Sequence, residues 1–446
     1  MTTLDDLPGP DPKHPWRNLY QYWKDPLGTC LSHGEHYGPR FQFKVGPRHF
    51  LFTTDIDDIR NVLISERAHF VKSENYEPLK LALGQGLVTS EHEVWKKQRP
   101  LAQPAFHPRK LTLFHDAMVR CTEDMLNRWA QSGATFDLHE EMNRLTFRIV
   151  GLTLLSTDLD HEASDFGRAL SEGLHFINRR IDTGALLPMW LPLPSHLRFK
   201  RNKGHLDRVI LDIIAKRTEG EQEKKDLLSL FMEAKDEATG EKMDAQQLRD
   251  EITTMVIAGH ETTSMAVTMT LALLSQHPDV WQNVHDEVNQ ICPHGSPTHQ
   301  QVAQLTYTEM VVKEAIRLYP PAWIVERSNP QAMELGGVHL PANTIVAISP
   351  MILHRNAELW PDPLRFDPER FSKEAEEARP RYHYLPFGAG PRVCIGGGFA
   401  LMEAKIMVAL IVRAMRLEML SPWPLPLFAG VTLRPKEAIQ MRRTAV

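Results

Sequence analysis

Cysteine is scarce in this chain: four among 446 residues, at positions 30, 121, 292 and 394. They stand far apart, with no C-x-x-C pair, so neither a disulfide framework nor a zinc site is indicated, and a reducing cytoplasm fits. Long apolar runs are missing as well. No stretch approaches the roughly 18 apolar residues that a membrane span needs. The opening Met-Thr-Thr-Leu-Asp-Asp-Leu-Pro-Gly-Pro has neither the basic start nor the apolar core of a signal peptide. An excess of positive charge is absent too: the net charge is -5, so nothing asks for nucleic acid or an anionic surface as partner. There is no internal repeat and no low-complexity linker. What remains is a globular composition, 42% hydrophobic and 24% charged.

Helical periodicity dominates, and the strand signals lie towards the two ends. Arg40–Val45 and His49–Thr53 read as strands around a Gly46-Pro47 turn. Most of 55–290 is helical in pattern, broken by Pro188, Pro192 and Pro194. The apolar loop Gly184–Trp190 either faces lipid or a substrate mouth, or packs on the core. Glu219–Asp236 reads as a solvated helix face. Strands return between Trp323 and Ile348. The expectation is a mainly α fold with a small β portion: β-rich at about 40–60 and 320–350 plus C-terminal strands, helical at about 60–320 and 395–420. The ends build the β portion together, which argues for one interleaved domain over 1–446.

Three stretches carry chemistry. The first is Phe387-Gly-Ala-Gly-Pro-Arg-Val-Cys394-Ile-Gly396, followed by an apolar run at helical spacing. Cys394 therefore stands just before a helix N-terminus, whose partial positive charge favours a thiolate. The glycines let the backbone turn sharply. A thiolate so held, with no second cysteine in reach, suits an axial ligand to haem iron. The second is Asp244–Ser275, a long helical pattern with Asp244 and Gln247 at capping-box spacing. At about 1.5 Å per residue it spans roughly 48 Å. Ala258-Gly-His-Glu-Thr-Thr263 interrupts its apolar centre, where Gly costs about 1 kcal/mol relative to Ala. The third is Thr306-Tyr-Thr-Glu309, a second capping box, which opens a helix bearing Glu314 and Arg317 at i and i+3.

These stretches, in this order, resemble the cytochrome P-450 family. The likeness rests on Phe387, Gly388, Gly390, Arg392, Cys394, Gly396 and Ala400, on Ala258–Thr263, and on the E-x-x-R pair. It runs from Leu7-Pro-Gly-Pro to Val431–Pro435. The resemblance implies the family's fold: a triangular helical domain with haem between the long central helix and the cysteine-ligand loop. It implies haem b (iron protoporphyrin IX), with Cys394 as metal ligand. Trp95, Arg99, Arg327, Arg392 and, more weakly, His92 would meet the propionates, with Phe387 and Gly388 beside the thiolate.

Glu261 and Thr262 would deliver protons where dioxygen is reduced, while Thr263 would bond back to the helix. Glu314, Arg317 and Arg370 (in Asp367-Pro-Glu-Arg-Phe371) would form a buried structural clasp. Leu87, Val88, Ala258, Ala322, Trp323 and Ile324 would line an apolar substrate pocket. Arg48 resembles in position the carboxylate anchor of soluble fatty-acid hydroxylases, but Phe52 stands where those have tyrosine. An exposed strand-edge arginine is the other reading.

The function implied is a haem-thiolate monooxygenase that inserts one atom of O2 into a terpenoid, steroid-like or fatty-acid-like molecule. The alternative is a peroxide-using hydroxylase or a rearranging enzyme on the same fold, against which the intact Glu261–Thr262 pair argues. A nucleotide-binding reading fails because the third glycine of G-x-G-x-x-G is missing after Gly390. With no flavin or iron–sulfur segment after Cys394, electrons are expected from a separate ferredoxin or flavodoxin with its NAD(P)H reductase. Lys96, Lys97, Arg109 and Lys110, with Arg381, His383 and Arg392 approaching the cysteine loop, offer a basic docking patch. Many family members carry a membrane anchor. The expectation here is a soluble, bacterial-type monomer without one.

Overall fold

A computed structural model describes residues 2–158, 166–182, 187–219, 224–235 and 240–444. Residues 184–186 of the apolar loop, and 220–223 and 236 of the charged run, lie outside them. The chain forms two compact units, each drawn from three separate stretches. Unit 1 comprises 1–74, 310–394 and 424–437, and unit 2 comprises 75–309, 395–423 and 438–446. No single cut in the sequence separates them.

Unit 1 holds a five-stranded sheet of β1 (Arg40–Val45), β2 (Arg48–Thr53), β3 (Val71–Lys72), β4 (Val325–Ser328) and β5 (Ile345–Ile348), in the order β1-β2-β5-β4-β3. Gly46, at φ +57°, makes the turn between β1 and β2. Phe41 pairs with Phe52 across them, and their rings stack at 4.9 Å. β2 then pairs in parallel with β5, which brings the second strand cluster onto the first. Behind the sheet lies a core that includes Leu51, Ile59, Val62, Leu63, Val346, Ile348, Leu353 and Leu385. Leu385 is two residues before Phe387, so this core anchors the approach to the cysteine loop.

Unit 2 is helical. It contains α1 (His92–Ala102), α2 (His115–Gln131), α3 (Leu138–Leu155), α4 (Ala245–Gln276) and α5 (Pro278–Ile291), the start of α6 (Thr306–Leu318), and α7 (Gly397–Ala414). The long α4 packs on α3 and α7, and α7 also packs on α2 and α5. Asp244 caps α4 as its spacing anticipates, accepting from the Gln247 N–H at 2.7 Å.

The start of α6 is capped from a neighbouring helix. Glu287 of α5 takes the N-terminal donors of α6, accepting from Tyr307 N at 2.6 Å and Thr308 N at 2.8 Å. Glu309 pairs with Lys405 of α7 at 2.9 Å. A carboxylate from a neighbouring helix satisfies two N–H groups at once, which a local glutamate reaching back to one cannot match. Among the described residues no helix is long and apolar enough to cross a membrane.

Candidate active site

The cysteine loop is held by glycine geometry. Gly388 and Gly390 both sit at φ +71°. A Cβ on Gly390 would lie 2.3 Å from the Leu63 carbonyl oxygen, so only glycine fits there. A Cβ on Gly388 would meet open space. The Cys394 N–H donates to the Phe387 carbonyl at 2.9 Å and closes the loop. Cys394 is exposed, whereas Cys30, Cys121 and Cys292 are buried. Burial pushes all three buried thiols up, Cys121 to about 12. They are held as neutral thiols, so Cys394 is the accessible cysteine of the chain.

The long helix α4 has an irregularity of its own. From Leu248 to Ile257 and from Thr263 to Leu274 it is buried throughout, but Ala258, Gly259, His260, Glu261 and Thr262 are each partly accessible. A Cβ on Gly259 would stand 3.5 Å from Val150, an ordinary contact, so the neighbouring side chain does not demand a glycine there. The Thr262 hydroxyl donates to the Ala258 carbonyl at 2.6 Å.

Back-bonding was expected of Thr263, and the structure reverses this. Thr263 is buried and faces Glu403 of α7, whose carboxyl burial pushes well up while Thr263 draws it partly back. Helical rotation explains the exchange: one residue further along, the side chain points from the accessible stretch into the α7 interface. His260 packs edge-on against Phe147, 5.2 Å between centroids, and burial pushes it down to about 4. It is a neutral packing residue.

The remaining expected residues fall in both units. In α1, Trp95 and Arg99 are half-buried, and His92 is exposed at φ +47°. Arg327 on β4 is half-buried and donates to the Glu326 carbonyl at 2.8 Å. Arg392 is half-buried in the short turn Gly390–Arg392. Leu87 is buried and Val88 half-buried. Ala322 and Ile324 are half-buried, but Trp323 turns into the interior of unit 1 and donates its indole N–H to the Gly430 carbonyl at 2.8 Å. Arg48 is paired with Glu74, and Phe52 is buried, which leaves the carboxylate-anchor reading without support.

Glu314 and Arg317 form a fully buried bidentate pair at 2.6 and 2.8 Å. The other Arg317 donors reach the carbonyls of His354, Pro363 and Arg365, so all five are used. Glu314 also accepts from the Asp367 N–H at 2.9 Å. Arg370 approaches it at 3.6 Å and bonds the carbonyls of Pro361 and Asp362.

Two features had no signal in the sequence. One is His354, which bridges Arg317 and Leu385. The other is the acid pair near the start of α4. Asp250 accepts from Gln85 N at 2.8 Å and Glu251 from Leu87 N at 3.2 Å. Cβ atoms on Gly84 and Gly86 would collide with Asp250 and Thr254, so this loop lies directly on α4. Two adjacent acids at a helix start read, in sequence, as solvated residues.

The cytochrome P450 family model matches residues 7–441. The chain belongs to the cytochrome P450 family. It is 34% identical over 399 residues to cyclooctat-9-en-7-ol 5-monooxygenase of Streptomyces melanosporofaciens, covering 89% of this chain and 86% of that protein. It is 30% identical to pentalenene oxygenase of Streptomyces avermitilis (94% and 91% covered), and 31% identical to cytokinin hydroxylase of Arabidopsis thaliana (93% and 82%). This cytochrome P450 is a haem-thiolate monooxygenase of mainly α fold. The residues present fit the haem. They supply one accessible cysteine, open space at Gly388, and a partly accessible stretch on an otherwise buried helix.

Proposed function

We propose that Cys394 is the thiolate ligand and that the enzyme oxidises an apolar cyclic, terpenoid-like molecule. Trp95, Arg99, Arg327 and Arg392, with His92 as a weaker partner, would hold the propionates. The haem, when bound, supplies activation of dioxygen. The protein's part is proton supply and water control at Ala258–Thr262.

The observation that carries this reading is the break in burial of α4 at those five residues. Thr262 donates its proton to Ala258 and so keeps its oxygen lone pairs for accepting from water. Glu261, next to it and half-buried, is the acid that resupplies that water. Leu87, Val88 and Ala258 of unit 2, and Ala322 and Ile324 of unit 1, are the apolar residues that would meet the substrate. The names of two relatives, cyclooctat-9-en-7-ol 5-monooxygenase and pentalenene oxygenase, point to cyclic olefinic substrates.

Electrons come from a separate ferredoxin or flavodoxin with its NAD(P)H reductase, and the enzyme works as a soluble cytoplasmic monomer. The test is titration of the holoenzyme with cyclic hydrocarbons, fatty acids and steroids, following the Soret band for displacement of water. Cyclic hydrocarbons should give the largest shift at the lowest concentration. Tighter fatty-acid binding would overturn the substrate reading.

A further inference from the structure

His354 has a place in unit 1 that packing alone does not require. Its ring is fully buried between Trp360 and Tyr384, at 6.1 and 5.2 Å between centroids. Nε2 accepts the Leu385 N–H at 2.9 Å. An N–H pointing at Nε2 requires that nitrogen to be bare, so the ring proton sits on Nδ1, which faces the Arg317 carbonyl at 3.3 Å. The carbonyl of His354 in turn receives Arg317 Nη1 at 2.7 Å. The two residues are thus bonded twice, each side chain to the other's backbone. Beyond Leu385 the bonds continue. Its carbonyl accepts the Gly388 N–H at 3.2 Å, and the Phe387 carbonyl accepts the Cys394 N–H at 2.9 Å. Residue 386 is proline and has no N–H, so the Leu385 amide is the last backbone donor before Phe387.

We propose that His354 is a positioning residue that transmits the Glu314–Arg317 clasp to the cysteine loop, through the single hydrogen bond from Leu385 N–H to Nε2. Burial and the neighbouring Arg317, Arg355 and Arg379 push the imidazole down to about 3, which keeps Nε2 an acceptor. This rests on Cys394 being the thiolate ligand.

Two isosteres separate the halves of the imidazole. His354→Gln places an acceptor where Nε2 stood, and His354→Asn places a donor where Nδ1 stood. The readout is the fraction of reduced, CO-bound holoenzyme that shows the long-wavelength Soret band of a thiolate rather than a thiol. His354→Gln should match the unsubstituted enzyme. His354→Asn should lose about tenfold in the ratio of the two forms, the scale of one buried N–H left without its acceptor. An intact band in His354→Asn, or equal loss in both variants, overturns the proposal.

A second arm needs no variant to fold. In the diamagnetic CO complex labelled with 15N-histidine, one fully protected imidazole should be the Nδ1–H tautomer, and the Leu385 amide should exchange as slowly as core amides. An Nε2–H tautomer, or a fast Leu385 amide, overturns it. Absence of the thiolate band in the unsubstituted protein would instead refute the assignment of Cys394, and the tautomer arm still decides the hydrogen bond.

Discussion

At the scale of single residues, accessibility sorts chemically identical groups. Four cysteines differ in whether water or a cofactor reaches the sulfur, and burial outweighs nearby arginines in holding a thiol protonated. Cys394→Ser should abolish the thiolate-type CO band, while serine at Cys30, Cys121 or Cys292 should leave it intact. Loss of the band from one of those three, with Cys394→Ser retaining it, would refute the assignment. Thr262→Ala should bind haem and substrate normally yet form less product, and more hydrogen peroxide, per NAD(P)H consumed. Unchanged coupling would remove Thr262 from proton delivery.

Glu251 predicts a pH effect of definite sign. Burial, reinforced by Asp250, raises it from 4.5 to about 8, although the Leu87 N–H draws it down. The native state therefore keeps a proton that the unfolded chain releases. The stability this gives is fully present below pH 4.5 and is lost progressively as pH rises to about 8. Glu251→Gln should remove that slope, an effect of order a few kcal/mol across the window. Denaturant titrations at several pH values would show it, and parallel pH profiles for the two proteins would contradict it.

At the scale of elements, the glycines of helix and loop do opposite work. Gly259 lies in the partly accessible stretch of α4, and Val150 leaves room for a Cβ there. Gly259→Ala should raise the melting temperature, since alanine is worth about 1 kcal/mol over glycine in a helix, while turnover falls as the added methyl crowds that stretch. Turnover equal to that of the unsubstituted enzyme would argue against a functional role for Gly259. Gly390 has no such latitude, because its positive φ and its contact with Leu63 exclude any side chain. The Glu314–Arg317 pair is likewise fixed by burial. Glu314→Ala leaves a guanidinium buried and unpaired, which costs about 3–5 kcal/mol. The expected result is haem-free or aggregated protein, and a haem-replete variant with normal melting would contradict the clasp.

At the scale of the whole molecule, local charge must be read after pairing. Lys96 is bonded to Glu93 at 2.6 Å and Lys97 to Glu241, so two residues of the basic patch anticipated from sequence are engaged by acids. Exposed pairs of this kind are worth little in stability, but they lower the field a partner meets. Arg109 and Lys110, both exposed, are then the stronger docking residues. Reversing Arg109 and Lys110 to Glu should slow first-electron transfer from an acidic ferredoxin more than reversing Lys96 and Lys97, without altering substrate affinity. The difference should fade as salt rises past about 0.1 M, where the screening length is roughly 10 Å. Equal effects of the two reversals at low salt would place the docking face elsewhere.

The amino-acid order alone determined the family, the glycine-bracketed cysteine loop, the long helix with its polar interruption, and the interleaving of strands from both ends. Each of these is written in neighbouring residues: glycines bracketing Cys394, Asp244 ahead of an apolar run, Glu314 three residues before Arg317. Only tertiary structure decided which of two adjacent threonines back-bonds, that Glu287 of the neighbouring helix caps α6, that Trp323 is core, and that His354 joins the clasp to Leu385. Those outcomes depend on groups brought together from positions tens to hundreds apart. A hydrogen bond, unlike a helical period, leaves no trace in local sequence until the fold has set the direction in which each side chain points.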